Sequence, residues 1–356
     1  MVLVQAGGGH FRAIWASRAA AMGLLAIAAG VTACSSNQSS GSPAASGGAG
    51  NVASATGSAV DTSYTRVVKD VAPAVVLIQT ADGGLGSGEV YDTEGDVITN
   101  AHVVGSATTF LVTLSSGKEL DATLVGSYPP DDIAVIKVNP AGLKPVKWGD
   151  SSKLAVGQAA MAIGNPLGLQ GSVTTGVVSA LGRVVSEGQG GGTLPDAIQT
   201  SAPINPGNSG GALVDLSSEV IGIPTLAALS PGTQGAPAPG IGFAISSNRA
   251  RVVADQLVQN GKVTNSQRGY LGVQSGNTIG GQGTLVTSVE PSGPAAKAGI
   301  AAGDQIVSVN GKPTPDTSEL ATATAGVSPG QTVPVKLLTR DGSSRTVNVT
   351  VGQLPG

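Results

Sequence analysis

Short runs of β-branched and other apolar residues recur along most of the chain, separated by glycine, proline, aspartate and asparagine. These runs occupy residues 74–80, 88–92, 95–100, 108–114, 133–138, 159–164, 173–181, 219–223 and 240–245. Runs of this length between turn-forming residues are typical of antiparallel strands in a barrel or sandwich. Helical spacing of apolar residues is clear only at residues 249–261. The pattern therefore predicts a mainly β domain that is closed by one helix.

The pattern restarts near residue 266, after two glycine-rich breaks at 187–192 and 230–240 that we expect to be surface loops. Strand-like runs then alternate with two helical segments, at 293–300 and 316–325. The second segment begins with Asp316 and carries Glu319 three residues later, which is a capping-box pattern. We expect a β domain over residues 61–262 and a separate α+β domain over 266–353.

The amino terminus has the pattern of an export signal. Two arginines and no acidic residue precede an apolar run at residues 19–33. A membrane-spanning helix is the alternative, but it needs about 18 to 20 apolar residues. Cys34 follows Val-Thr-Ala, which resembles the bacterial lipobox, so residues 1–33 are predicted to be a removed lipoprotein signal peptide. A chance cysteine after an ordinary cleavage site is the other interpretation.

A lipidated Cys34 would anchor the chain to the outer face of the cytoplasmic membrane, because several acyl chains bury enough methylene groups for stable binding. Residues 34–60 are rich in glycine, serine and alanine and predict a flexible tether.

The small number of cysteines and histidines limits which metal, disulfide and catalytic sites the chain can form. The 356 residues include one cysteine and two histidines, so neither an internal disulfide framework nor a closed Cys/His zinc site can form. A net charge of −3 and few aromatic residues argue against nucleic acid as a partner. We expect no cofactor and no metal, although a site made of carboxylates stays possible. Because His10 lies in the predicted signal, His102 is the histidine left for catalysis.

One serine, Ser209, is surrounded by glycines in the sequence NPGNSGG at residues 205–211. Glycines beside a serine let the backbone turn sharply and direct successive N–H groups to one point, as an oxyanion site requires. A glycine-rich turn with a solvated serine is the simpler interpretation. The string also fits the G-x-S-x-G elbow of α/β-hydrolases, but that fold needs a histidine after the serine, and none follows residue 209.

The order of the residues leaves two triads open. The order Asp, His, Ser is possible with Asp92 or Asp96, but it belongs to an α/β fold and the strand-rich pattern argues against it. The order His, Asp, Ser is that of chymotrypsin-like barrels. Its candidate carboxylates are Asp121, Asp131, Asp132, Asp150 and Asp196. Asp132 opens an apolar strand run, where a carboxylate can be partly buried, and Asp131 is expected to face solvent.

Six segments follow one another along the chain: TNAHVV at 99–104, DDIAVIKV at 131–138, GNPLG at 164–168, TTGVVSALGR at 174–183, INPGNSGGALV at 204–214 and GIGFAI at 240–245. In this order they resemble the HtrA/Deg family of trypsin-like serine proteases. The second domain resembles that family's PDZ domain through GYLGV at 269–273 and AGIAAGDQIVSVNGK at 298–312. The resemblance spans about 64–352 and implies a mainly β protein, with a chymotrypsin-like double β-barrel protease domain followed by an α+β PDZ domain.

The resemblance assigns roles to individual residues. It implies His102 as general base, Asp132 as its orienting partner and Ser209 as nucleophile, with the backbone of residues 207–209 as the oxyanion hole. The members of that hole would be Gly207, Asn208 and Ser209. The primary specificity pocket would be formed by Thr225, Ile241, Gly242 and Phe243, whose lack of charge predicts small or medium apolar residues before the cut. The chain departs from the family at Ser201, Pro203 and Pro224.

The PDZ resemblance implies capture of extended C-terminal peptides. Their carboxylate would bind the loop made of Tyr270, Leu271, Gly272 and Val273, and Leu320 and Thr324 would line the other wall, a composition that predicts apolar C termini. The family also implies a homotrimer, for which Tyr64 is the candidate contact. The whole points to an envelope serine endopeptidase that cleaves unfolded or damaged proteins. The alternative is an envelope chaperone or peptide-binding protein with minor proteolytic activity.

Overall fold

The computed structural model describes residues 51–140, 142–165, 171–186, 193–205, 207–229, 237–278 and 282–355. The predicted signal peptide, Cys34, the start of the tether and the first glycine-rich break lie outside the described residues. No helix within the described ranges is long and apolar enough to cross a membrane. Everything described below lies in one compact unit, Gly50–Gly356.

The amino-terminal element is a helix, α1 (Asn51–Val71). Val67 and Val71 are buried, and Tyr64 and Val68 pack against the same apolar cluster, which also contains Met161. This i, i+3, i+4, i+7 spacing gives one apolar face, and that face fixes α1 against the second barrel. The helix thus includes residues 51–60, which composition had assigned to the flexible tether.

The first six strands form a closed barrel in the order β1-β2-β3-β6-β5-β4. Their bounds are β1 (Val75–Thr80), β2 (Leu85–Val90), β3 (Asp96–Thr99), β4 (Thr109–Thr113), β5 (Glu119–Tyr128) and β6 (Ile133–Val138). A short helix, α2 (Ala101–Val104), follows β3. Side chains such as Ile78, Val97 and Ile136 fill the barrel, so the ends of β3 and β6 are held rigidly beside each other.

Seven further strands form a second sheet in the order β11-β8-β9-β10-β13-β12-β7. Because β11 also pairs with β12, this sheet closes into the second barrel, with β7 at its edge. The strands are β7 (Lys147–Trp148), β8 (Ala159–Gly164), β9 (Ser172–Ser186), β10 (Thr193–Thr200), β11 (Ala212–Val214), β12 (Glu219–Leu229) and β13 (Pro237–Ser246). The helix α3 (Ser247–Asn260) ends at Gly261, whose φ is +68°. Its Val253 and Leu257 pack with Ile133 of the first barrel and Ile223 of the second, which joins the two.

The carboxy-terminal domain is a mixed α+β fold. One sheet has the order β15-β16-β17-β19-β20, with β18 beside β17, and β14 pairs with β21. The elements are β14 (Gly269–Tyr270), β15 (Val273–Asn277), β16 (Thr284–Val289), α4 (Pro294–Lys297), β17 (Gln305–Val309), β18 (Lys312–Pro313), α5 (Thr317–Ala325), β19 (Thr332–Leu338), β20 (Ser344–Thr350) and β21 (Gly352–Gln353). Asp316 caps α5 by accepting the Glu319 amide at 2.8 Å, so the predicted cap is confirmed.

The predicted fold class, two β-barrels followed by an α+β domain, is confirmed, and two long strands were missed. β5 has mostly half-exposed positions, so apolar residues do not form a run. β10 contains a proline and Asp196, whose φ is +55°, and its pairing with β9 shifts register around that residue. A bulged strand of this kind lacks the uninterrupted alternation by which strands are recognised.

Candidate active site

His102 and Asp132 meet where β3 and β6 lie side by side. His102 is on α2, directly after β3, and Asp132 directly precedes β6. The imidazole Nδ1 lies 2.8 Å from Oδ2 and 3.0 Å from Oδ1 of Asp132, and the His102 backbone N–H donates to Oδ1 at 2.9 Å. Since Nδ1–H donates to the carboxylate, the neutral ring carries its basic lone pair on Nε2.

The backbone of Asp132 is as constrained as its side chain. Its φ of +54° and ψ of +42° are left-handed, a conformation that aspartate tolerates better than most residues. The Asn100 amide donates to the Asp132 carbonyl at 3.0 Å, and Asp132 is 1% exposed. The imidazole, by contrast, is 46% exposed, so the carboxylate is fixed inside the protein while the ring is open to solvent.

Thr225 connects the carboxylate to the serine. Its hydroxyl donates to Oδ2 of Asp132, and its backbone carbonyl accepts from Oγ of Ser209 at 3.3 Å. Thr225 is 4% exposed, and its side chain points toward Asp132. That Thr225 also lines the specificity pocket stays a prediction; the structure shows that its hydroxyl holds the carboxylate.

The loop that carries Gly207 and Ser209 is attached to the first barrel through Ser87 of β2. The Ser87 N–H donates to the Ser209 carbonyl at 2.9 Å, and its Oγ donates to the Gly207 carbonyl at 2.6 Å. The same Oγ accepts from the Asn165 N–H at 2.8 Å. Ser87 was not identified from the sequence. The motif GSG at 86–88 offered the only signal, because serine between glycines allows two chain segments to approach closely.

Glycines in this loop are required by space as well as by conformation. A Cβ on Gly210, whose φ is +80°, would lie 2.2 Å from the Ser87 carbonyl oxygen. The N–H of Gly210 donates to the Pro224 carbonyl at 3.0 Å. The backbone carrying Ser209 therefore lies directly against the first barrel.

Three amides were assigned to the oxyanion hole, and one of them is engaged elsewhere. The Asn208 N–H donates to the Asn205 carbonyl at 3.0 Å, so this amide is already engaged and its assignment to the oxyanion hole is wrong. No hydrogen bond among the described residues uses the N–H of Gly207 or Ser209. Gly207 has a φ of +100°, a conformation suited to glycine. These two amides remain the candidate oxyanion donors.

The remaining pocket residues lie on β13. Ile241 is 38% exposed, Gly242 is buried and Phe243 is half-buried. A Cβ on Gly242 would lie 2.5 Å from Cγ1 of Ile204, so Ile204 covers this glycine. Ile204 was missed by sequence reasoning because it belongs to the serine motif and is distant in sequence from β13. Apolar side chains from two segments thus meet at Gly242.

The departures from the family pattern have structural roles. The Ser201 hydroxyl accepts from the Val177 N–H at 3.0 Å, and the Pro203 carbonyl accepts from the hydroxyl of Thr174 at 2.8 Å. Both residues fasten the segment before the serine to β9. Pro224 lies within β12 opposite Ala244.

Asp131 is fully buried, which contradicts the expectation that it faces solvent. Its Oδ2 accepts from Nε of Arg249 at 2.8 Å, and its Oδ1 accepts from Nη1 of Arg268 at 2.8 Å. Arg268, which directly precedes β14, also donates to the Pro130 carbonyl at 2.5 Å. Two guanidinium groups therefore neutralise this carboxylate and join α3 and the carboxy-terminal domain to the turn before Asp132.

Glu89 is a buried carboxyl group without a hydrogen-bond partner among the described residues. It lies on β2, two positions from Ser87, and it is 0% exposed. Its cross-strand neighbours are Val75 and Ile98. Burial raises the pKa of Glu89 well above its usual value, because an ionised carboxylate cannot be solvated there.

All six residues predicted for the peptide groove line one cavity of about 200 Å³ in the carboxy-terminal domain. One wall is the backbone from Tyr270 to Val273, and the other is α5 with Leu320 and Thr324. Leu271 and Leu320 are buried in the domain core. The groove is therefore apolar at its base and bordered by backbone.

Comparison with known proteins agrees with this architecture. The family described as "Trypsin-like peptidase domain" matches residues 86–223, and the PDZ domain family matches residues 239–351. A probable periplasmic serine endoprotease DegP-like of Brucella suis is 43% identical over 282 residues, which cover 76% of this chain and 53% of that protein. The serine protease PepD of Mycobacterium tuberculosis is 40% identical over 82% of this chain and 66% of its own.

Solved structures extend the likeness to the fold. The serine endoprotease from Yersinia pestis is 38% identical with a TM-score of 0.57, over 82% of this chain and 98% of that one. The HtrA-type protease AlgW with a decapeptide is 32% identical with a TM-score of 0.58, over 82% and 99%.

The fold and the site together define a trypsin-like peptidase domain followed by one PDZ domain. The chain belongs to the HtrA family of trypsin-like serine proteases. It spans about half the length of the first of the curated relatives it matches, 53%.

Proposed function

We propose that the chain is a serine endopeptidase of the bacterial cell envelope that cleaves unfolded or damaged proteins. The observation that carries the proposal is the set of contacts around Thr225, which holds the Asp132 carboxylate through its hydroxyl and Oγ of Ser209 through its carbonyl. The names of the relatives, which include periplasmic serine endoproteases, support the same activity and compartment.

The proposed reaction needs no cofactor. Oγ of Ser209 attacks the scissile carbonyl carbon while Nε2 of His102 accepts the serine proton, and Asp132 stabilises the imidazolium. The N–H groups of Gly207 and Ser209 bind the oxyanion. The C–N bond then breaks, and the leaving amine takes the proton from His102. Water attacks the acyl-enzyme carbonyl while His102 accepts the water proton; the ester C–O bond to Ser209 then breaks, His102 returns the proton to Oγ, and a carboxylic acid product is released.

The proposal is tested by incubating an unfolded protein with the wild-type chain and with Ser209→Ala, followed by identification of the fragments. We expect fragments only with the wild type, and their ends should show small or medium apolar residues before the cut. Identical fragment patterns with both chains would reject the protease. If Ser209→Ala binds the unfolded protein and the wild type does not cleave it, the alternative of an envelope chaperone holds.

The proposal places the chain on the outer face of the cytoplasmic membrane through lipidated Cys34. The lipobox resemblance supports this, together with the exported relatives. The intact mass of membrane-extracted protein tests it, since a diacylglyceryl group on Cys34 adds a defined mass. An unmodified thiol, or cleavage elsewhere, would reject the anchor.

We further propose a homotrimer with Tyr64 at the contact. Tyr64 is only half-buried against the cluster around α1, so part of the ring is available to another subunit. Sedimentation velocity of the full chain should give a trimer, and a monomer at all concentrations would reject the assignment.

A further inference from the structure

The PDZ groove lies beside a strand with an open edge. β15 is the terminal strand of its sheet among the described strands and pairs only with β16 there. A peptide in the groove would add to the other edge of β15, and its successive side chains would alternate between the two faces of the sheet. If the last side chain enters the apolar groove toward α5, the penultimate side chain points to the opposite face.

That opposite face carries a second, polar pocket of about 390 Å³. It is lined by Tyr270 of β14, by Gly272 in the turn before β15 and by Val273 and Gln274 of β15, and it is completed by Ser288 of β16 and by Glu290, which follows β16. Gln274 pairs with Ser288, and the Glu290 N–H donates to the Gly272 carbonyl at 2.9 Å. The residues that line this pocket include one carboxylate and no lysine or arginine.

The Glu290 carboxylate is held close to the loop that would bind a terminal carboxylate. Its Oε2 lies 3.2 Å from the position that a Cβ on Gly272 would occupy, and 3.1 Å from that of Gly293. Burial raises the pKa of the Tyr270 phenol, and the charge of Glu290 and a hydrogen bond to it raise it further. The carboxylate therefore stands beside Tyr270 at the rim of the loop.

This arrangement sets an electrostatic condition on the ligand. A carboxylate of the protein beside a carboxylate of the peptide is repulsive. A cationic side chain between Glu290 and the terminal carboxylate of the peptide would replace this repulsion by attraction. The penultimate side chain of a peptide added to β15 points to the pocket that contains Glu290.

We propose that the Glu290 pocket is a subsite for a cationic penultimate side chain, lysine or arginine, in C-terminal peptides whose last residue is apolar. The inference rests on the expectation, drawn from the PDZ resemblance, that this domain captures C-terminal peptides, and it adds the chemical class of the ligand.

The experiment measures binding of labelled peptides to the full chain carrying Ser209→Ala, by fluorescence anisotropy. Three peptides end in the same apolar residue and differ only in lysine, glutamine or glutamate before it. A fourth is the lysine peptide with a C-terminal amide. We expect Kd to rise about twofold to fivefold from lysine to glutamine, and again to glutamate, as for a partly exposed ion pair.

Glu290→Gln should abolish the advantage of lysine over glutamine, and because the repulsion is removed the glutamine peptide should bind at least as tightly as to the parent chain. The matched control is Glu319→Gln, an exposed acid of α5 that lines neither pocket, and it should preserve the advantage. Raising salt from about 0.05 to about 0.5 M should reduce the advantage in the parent chain.

Equal affinity for the lysine and glutamine peptides, or an advantage that survives Glu290→Gln, would overturn the subsite. Two other results would show that the domain does not capture C termini: equal affinity for the amide and the free acid, or no binding of any peptide. In either case the subsite is rejected as well.

Discussion

The Thr225 hydroxyl donates to Oδ2 of Asp132, the same oxygen that lies 2.8 Å from Nδ1 of His102. One carboxylate oxygen therefore receives two donors, from β12 and from α2. Because the Thr225 carbonyl also accepts from Oγ of Ser209, a single buried threonine joins the two barrels at the site.

Thr225→Val should lower kcat/KM about 10-fold to 100-fold, because a hydrogen bond to a charged group contributes about 1.5–3 kcal/mol. The backbone carbonyl that accepts from Ser209 is retained, so the loss isolates the hydroxyl. Cleavage of a fluorogenic peptide is the measurement. Thr225→Ser restores the hydroxyl and should recover most of the activity; a fully active valine variant would contradict the assignment.

Substitutions of the two adjacent aspartates should affect different properties, activity at Asp132 and stability at Asp131. Asp132→Asn removes the carboxylate that orients His102 and should lower kcat by roughly 10⁴-fold, as the corresponding change does in serine proteases. Asp131→Asn leaves Arg249 and Arg268 without their shared buried partner and should cost about 3–5 kcal/mol of stability. Urea unfolding and kcat are measured for both. If Asp131→Asn unfolds like the wild type, the ion-pair interpretation is wrong.

Glu89 should make the protein less stable as pH rises. Its folded pKa lies above its unfolded value, so both states are protonated at low pH and the group has no effect there. Above about 4.3, the usual pKa of glutamate, the unfolded chain releases the proton while the folded chain keeps it. Stability therefore falls through the window between the two pKa values.

Glu89→Gln should remove this slope, and urea unfolding between about pH 4 and pH 9 measures it. Glu89→Met, which also removes the buried polar atoms, should in addition stabilise the protein by about 1–3 kcal/mol. A wild-type slope that persists in the glutamine variant would assign the effect to other groups.

Gly210→Ala should impair both folding and catalysis, because its Cβ would meet the Ser87 carbonyl oxygen at 2.2 Å. The matched control is Gly117→Ala in the turn after β4, where φ is nearly the same, +79°, and nothing lies within 4 Å of the added atom. The control should cost about 1–2 kcal/mol for backbone conformation alone. Gly210→Ala should cost more and also lower kcat; equal losses would show that the close contact is relieved without effect.

The fold class followed from the sequence because it depends on the local pattern of apolar and turn-forming residues. The candidate chemistry followed because few reactive side chains are present and their order is fixed. Short apolar runs between turn residues predict strands whatever their partners, and the order His102, Ser209 with no later histidine excluded the hydrolase elbow. β5 and β10 escaped because one is half-exposed and the other is bulged.

What only the tertiary structure decided is which way each polar group points. Asp131 and Asp132 are neighbours with the same side chain, yet one binds two arginines and the other a histidine and a threonine. Asp132 has a left-handed backbone and precedes β6, so no strand alternation relates the directions of these two side chains and the sequence could not distinguish them. The roles of Thr225 and Ser87 depend likewise on segments far away in the chain. Residue types limit which chemistry is available, but hydrogen bonds between distant strands determine which atoms carry it.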